Sequence, residues 1–468
     1  MRLVFANLIR QINAVTTPDQ PAATAPVTLR RALGLRALVI YGLVLIQPTA
    51  PMPLYGVVSQ AADGHVVTTI LIGMVAMLFT AISYGRMANV YPTAGSAYTY
   101  VGRELHPALG YLTGWSMMFD YVMNPIICVV WCSNATVELG ILPVLSWQFW
   151  VVVYALSFTG LNLRGIQASD RTNTFLAVAL TAVIVWFFAA VARYLLAHPP
   201  ADAAAWTRPF YDPTTFSWRH VSNGAALAVL TYIGFDSIST LSEEAHNPRR
   251  NILLATVLVC LITGVLAAAE VYAAQLAWSG PVTALGKPEN AFAHVAGQVG
   301  GHALFRTLTV ALLVANIGSG VGAQLGAGRL LYGMGRDDAI PRRFFGRLHP
   351  RTQVPANNIL LVGGVVLVGA FLVDYALGAE LLNFGALIGF MGVNVCALVH
   401  YFVRGRDRCW HQLVPPVLGF LVCLFLWTSL SWKARAIGFA WLTLGVLYGA
   451  WRTGGYRRPL KMFIGETS

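Results

Sequence analysis

The chain is a succession of long apolar runs separated by short polar loops, and this pattern constrains its fold more than any other feature. Twelve such segments occupy 37–59, 66–88, 108–137, 144–163, 174–197, 220–241, 252–278, 303–331, 358–373, 380–403, 413–430 and 434–451. A bilayer-spanning helix needs about 20 mainly apolar residues, because a rise of about 1.5 Å per residue must cover roughly 30 Å of hydrocarbon. The pattern predicts an all-α polytopic membrane protein with 12 transmembrane helices. Charged residues make up 11% of the chain, against about 25% in soluble domains, which leaves no room for a sizeable soluble unit.

Basic residues set the orientation. With twelve spans and both termini cytoplasmic, twenty-four of the 31 Lys and Arg residues fall on the inner side, as the positive-inside rule requires. The net charge of +12 is therefore loop charge at a membrane surface, and no nucleic-acid partner is expected. Five of the six cysteines lie in apolar runs and the histidines are scattered, so the pattern predicts no metal and no cofactor. The longer polar connections hold no nucleophile elbow or phosphate loop, which argues against an enzyme.

Two spans are interrupted at mid-membrane depth. The first carries Pro48, Pro51 and Pro53 just after Gln47, and proline both lacks an amide hydrogen and clashes with the preceding turn. The sixth places Gly234, Asp236 and several hydroxyls between Tyr232 and Thr240. Irregular backbone at that depth persists only where protein or a cavity surrounds it. Breaks in the first and sixth spans, five apart, point to an inverted-repeat transporter with its site between them.

Longer motifs extend this. The run Gly234-Phe-Asp-Ser-Ile-Ser-Thr-Leu-Ser-Glu-Glu244, continuing through Asn247 to Arg250, resembles a signature of the amino acid/polyamine/organocation transporters. Tyr91-Pro-Thr-Ala-Gly-Ser-Ala-Tyr-Thr-Tyr100 with Gly110, Gly114 and Trp115 is similar to that superfamily's loop into its third helix. Arg329 to Asp338, followed by Ile340-Pro341 and His349-Pro350, is similar to the exit from its eighth helix. Within the superfamily, the stretches 50–56 and 76–87 resemble the bacterial putrescine importers most. The resemblance implies a LeuT-like 5+5 inverted repeat with broken helices 1 and 6 plus two extra helices, alternating access, and a bacterial inner membrane. The corresponding division is a tail 1–36, a first repeat 37–197, an extracellular loop 198–219, a second repeat 220–404, helices 11–12 over 405–452 and a tail 453–468.

Substrate chemistry follows from the two breaks. Amino acid carriers of this superfamily offer glycine-rich backbone amides to a carboxylate in helix 1, whereas the proline-rich break here offers few. Asp236 supplies negative charge beside the carbonyl end of a half-helix, although Asp also suits a capping role there. A diamine needs a second acceptor, and Asp120 and Glu270 are the other ionisable candidates within spans. Glu270, expected near mid-membrane or a little beyond, also suits a carrier of the coupling proton. The expected substrate-binding set is Asp236, Gly234, Phe235, Tyr232, Thr49, Ala50, Met52, Tyr55, Asp120, Tyr121 and Tyr98, the aromatics serving cation–π contacts. Glu243, Glu244, Arg249 and Arg250 form an expected cytoplasmic gate.

These features predict a proton-coupled secondary importer of a small organic amine, putrescine or a related polyamine. An α-amino acid permease or an amine/amino acid exchanger of the same superfamily is the alternative, and a membrane amine sensor a more distant one. No lysine occurs between Arg171 and Arg193 to stand in for sodium, and sodium coupling through backbone carbonyls and Ser319 stays open.

Overall fold

A computed structural model describes residues 33–455, apart from 93–95, 166–169, 201, 243–244, 279, 337, 351, 353 and 406–407. The first span forms as two pieces, α1 (Leu35–Ile46) and α2 (Pro51–Ala61). Then come α3 (Val66–Val90), α4 (Ser96–Glu104), α5 (Pro107–Glu138), α6 (Trp147–Leu163) and α7 (Asp170–Ala197). The sixth span is α8 (Trp218–Ala228) continued by 3₁₀ turns at Val229–Tyr232 and Phe235–Leu241. The remainder comprises α9 (Pro248–Ala277), α10 (Ala291–Arg336), α11 (Arg342–Phe345), α12 (Ala356–Leu372), α13 (Tyr375–Leu398), α14 (Trp410–Thr428) and α15 (Trp432–Thr453).

Among the described residues, eight helical stretches are long and apolar enough to cross a membrane. That is fewer than the twelve segments of the hydropathy pattern, for local reasons. Prolines split the first span into pieces of 12 and 11 residues; α6 and α12 stop at 17 residues each; and α15 is less apolar, with Lys433 and Arg435 in its first turn. Helix α10 is longer than the 303–331 segment because an added stretch precedes it, joined at Gly301, whose φ of 70° breaks the helical path.

Side chains are arranged for an apolar solvent. The apolar window of α5 is 78% buried and that of α14 only 22%, so α5 runs through the centre of the bundle and α14 along its edge. Leu196, Leu372 and Leu447 are exposed, while Asn162, Gln324, Asn358, Asn383 and Asn394 are buried. Without water, buried polar groups must find partners across helices. Asn394 Nδ2 donates to Thr80 Oγ1 at 3.1 Å, and Gln324 Nε2 to Thr159 Oγ1 at 2.9 Å. Helices α3 and α9 approach closely through small residues: a Cβ on Gly264 would lie 2.5 Å from Met74.

Candidate functional site between two helix breaks

Each break has an identifiable cause. Helix α1 ends at Gln47, whose φ of 65° is left-handed and whose amide donates to the Leu43 carbonyl at 3.1 Å. Helix α2 begins on Pro51, a residue pre-shaped for a first helical position. An ordinary helix N-terminus presents a fan of free amides to an anion. Here Pro51 and Pro53 have none, the Ala50 amide donates to Gln47 O at 3.0 Å, and the Met52 amide to Thr49 O at 3.1 Å. This half-helix start is poorly equipped to hold a carboxylate.

In the sixth span, Ile233 is extended and Gly234 takes φ 122°, where a side chain would be strained. A Cβ on Gly234 would approach Ile46 Cγ1 to 3.2 Å, so the two breaks face one another. The following turn carries Asp236, which is 7% exposed. Backbone groups of Gly234, Asp236 and Ser237 lie around its carboxylate. Its charge acts on Tyr84 of α3, Tyr100 of α4, Asp120 and Tyr121 of α5, and Cys260 of α9. Tyr121 lies near Ser237 and packs against Gly326 of α10, joining α5, the sixth-span break and α10.

The Asp120 and Asp236 carboxylates are close enough to repel each other, and among the described residues no Arg, Lys or His acts on either. Uncompensated charge in a low-dielectric interior costs several kcal/mol. Such a pair calls for cations or protons.

The remaining expected site residues divide. Thr49 is 2% exposed and Ala50 is half-buried, both in the first break. Met52 and Tyr55 are buried on α2, Tyr55 edge-on to Phe292 at 5.7 Å between ring centres. Phe235 is sealed within an aromatic cluster, 5.4 Å from Tyr84 and 5.3 Å from Phe390. Tyr232 points to α3, its hydroxyl donating to Ile70 O at 2.7 Å. Tyr98 packs on Gly114 of α5. Glu270 lies in the last third of α9, fully buried, with no hydrogen-bond partner for either oxygen among the described residues. Asp236 is not among the groups acting on it. Of the expected gate, Glu243 and Glu244 lie outside the described residues, and Arg249 and Arg250 are exposed at the start of α9.

Sequence reasoning missed residues that complete this region. Asn383 of α13 donates Nδ2 to Ala226 O at 2.8 Å and Leu227 O at 3.2 Å, engaging carbonyls at the end of α8. Tyr84 is fully buried beside Asp236, and its hydroxyl has no partner among the described residues. At one end of the bundle, buried Glu104 accepts from Tyr91 at 2.8 Å and Arg404 at 2.7 Å, and pairs with His400 at 2.9 Å. At the other end, Asn134 donates to Glu289 at 2.7 Å and Glu138 pairs with His294. For the acids and amides among these the sequence signal was a polar residue near the margin of an apolar run, and Tyr84 gave none.

The Pro288–Asn290 turn in that second cluster seats on α2, where a Cβ on Gly56 would lie 2.1 Å from Pro288 O. Overpacking of this kind costs about 1–3 kcal/mol. Gly56→Val should therefore displace the turn and cut uptake by about tenfold or more, measured as initial transport rate against wild type.

Two facing helix breaks and buried acids inside an apolar bundle fit a multi-pass membrane protein. The chain belongs to the amino acid permease family of the amino acid/polyamine/organocation superfamily, whose family profile matches residues 37–451. It is 33% identical over 451 residues to the low-affinity putrescine importer PlaP of Escherichia coli K12, covering 94% of this chain and 97% of that protein. It is 27% identical to the branched-chain amino acid permease BcaP of Lactococcus lactis, covering 86% and 90% of the two chains. Identity to the methylthioribose transporter of Bacillus subtilis is 26%, covering 90% and 93%.

Proposed function

We propose that this permease is a secondary active importer of a small diamine, putrescine or a related polyamine, working by alternating access in a bacterial inner membrane. The observation that carries this reading is the Asp120–Asp236 pair, two acids on which no basic group acts among the described residues, in a chain whose α2 start has amides that are absent or already bonded. One ammonium group on each acid removes the repulsion, and Tyr121, next to Asp120 and acted on by both acids, offers an aromatic face. The similarity to a putrescine importer supports the same substrate class. Glu270 is the proposed proton carrier, since it is isolated from the acid pair and can load and release a proton without competing for substrate.

The proposed topology is twelve spans with cytoplasmic termini, arranged as a LeuT-like 5+5 repeat with two extra helices. In that frame the Glu104 cluster faces the cytoplasm and the Pro288–Asn290 turn covers the outer face. An inside-negative potential favours each entering charge by about 2.3 kcal/mol per 100 mV, so a diamine gains roughly twice that.

Radiolabelled putrescine uptake into proteoliposomes tests the reading. Accumulation should exceed that of protein-free vesicles and rise with an inside-negative potassium diffusion potential. Uptake no greater than in protein-free vesicles, alongside active transport of neutral amino acids, would refute it.

A further inference from the structure

Gln47 has an unusual position that the substrate site does not explain. It terminates α1 with φ 65°, a backbone region that is costly for a residue with a side chain and free for glycine. A chain needing only a helix break would be served by glycine here. Instead the Gln47 side chain crosses to α10, where its Nε2 donates to the Ala315 carbonyl at 2.7 Å. The Ala315 residue is 5% exposed, so this oxygen has little access to other donors. One turn further along α10, the Ser319 hydroxyl contacts Asn124 Oδ1 of α5 at 3.4 Å.

Broken membrane helices leave carbonyls that must be satisfied by side chains, by neighbouring helices or by bound cations. A sodium ion joining the first-span break to α10 would need oxygen ligands from this part of α10. The Gln47 amide already presents partial positive charge to the buried Ala315 carbonyl. Unlike an ion or a titrating side chain, an amide can neither leave nor change charge.

We propose that Gln47 is a positioning residue that fastens the break in the first span to α10, and that its amide takes the place of a sodium ion at this junction. This rests on the first-span break being part of the transport machinery, not on which amine is carried. Transport is then independent of sodium, and the α1–α2 geometry depends on the Gln47–Ala315 hydrogen bond.

The test compares wild type, Gln47→Gly and Gln47→Glu in proteoliposomes, with sodium or choline as the external cation. Gln47→Gly keeps the backbone conformation allowed and removes only the side chain. Gln47→Glu keeps the length but sets a carboxylate against the carbonyl. Wild-type uptake should be equal in sodium and choline. Gln47→Gly should lose about tenfold in maximal rate, the scale of one interhelical hydrogen bond within a membrane, with KM little changed. Gln47→Glu should be equally slow in choline and recover in sodium, because a cation can bridge the two oxygens, a response that a purely structural defect would not give. Sodium-dependent wild-type transport, or wild-type rates in Gln47→Gly, would overturn the proposal. The wild-type comparison stands even if neither variant folds. Failure to carry putrescine would refute the amine reading and leave this comparison intact with whichever labelled substrate is carried.

Discussion

Asp236→Asn should reduce putrescine uptake about a hundredfold while the protein still purifies as a folded species. The substitution preserves the shape of the side chain among the Gly234, Asp236 and Ser237 backbone groups. What disappears is the negative charge opposite an ammonium group in a site only 7% exposed. Removing one member of a buried charge pair costs about 3–5 kcal/mol, of which about 3 kcal/mol corresponds to two decades of affinity. The loss should appear mainly as a raised KM, since the missing interaction is already made in the bound ground state. Asp120→Asn should act in the same direction. Wild-type uptake in Asp236→Asn would remove this residue from the site.

Glu270→Gln should separate movement of substrate from its accumulation. The carboxyl is fully buried with both oxygens unpartnered, so the isosteric amide breaks no hydrogen bond seen in the fold. Burying an unpaired carboxylate is costly, so the amide should leave the melting temperature equal or higher. At zero membrane potential, an acid-outside pH gradient should drive uphill uptake in wild type. In Glu270→Gln that accumulation should fall to the level reached without a gradient, while exchange of external label for internal unlabelled amine continues. Gradient-driven accumulation as high as wild type would remove Glu270 from the coupling path. A lowered melting temperature with coupling intact would instead assign it a structural role.

Much of the architecture was legible because bilayer burial writes itself into local composition. The 66–88 and 252–278 runs reappear as Val66–Val90 and Pro248–Ala277, since nothing but a helix satisfies the backbone of such segments in hydrocarbon. The breaks were legible for equally local reasons, three prolines in one span and Gly234 in the other. What could not be read was pairing across the bundle. The side-chain contact between Gln47 and Ala315 joins residues 268 apart in sequence, and that of Asn383 with Ala226 joins residues 157 apart. Periodicity carries no information on either.

Aromatic residues near the breaks illustrate the same boundary. Phe235 and Tyr232 flank Gly234 in sequence, yet Phe235 packs into a cluster with Tyr84 and Phe390 while Tyr232 bonds to α3. Tyr121, next to Asp120 in α5, is an aromatic on which both acids act. Proximity to a break marked the right neighbourhood, but the direction of each side chain was set by the twist of the 3₁₀ turns. The second acid was identifiable only as a candidate, because its approach to Asp236 depends on how α5 threads the centre of the bundle.

Ornithine is putrescine bearing one α-carboxylate, and comparing the two isolates the property on which the proposed specificity depends. Initial rates of both labelled compounds should be measured in the same proteoliposome preparation, at one pH and one membrane potential. A site with two acids and a proline-stripped helix start should carry putrescine at least about tenfold faster than ornithine, because the added acid group meets repulsion and no free amides. Ornithine carried as fast as putrescine or faster would contradict the account.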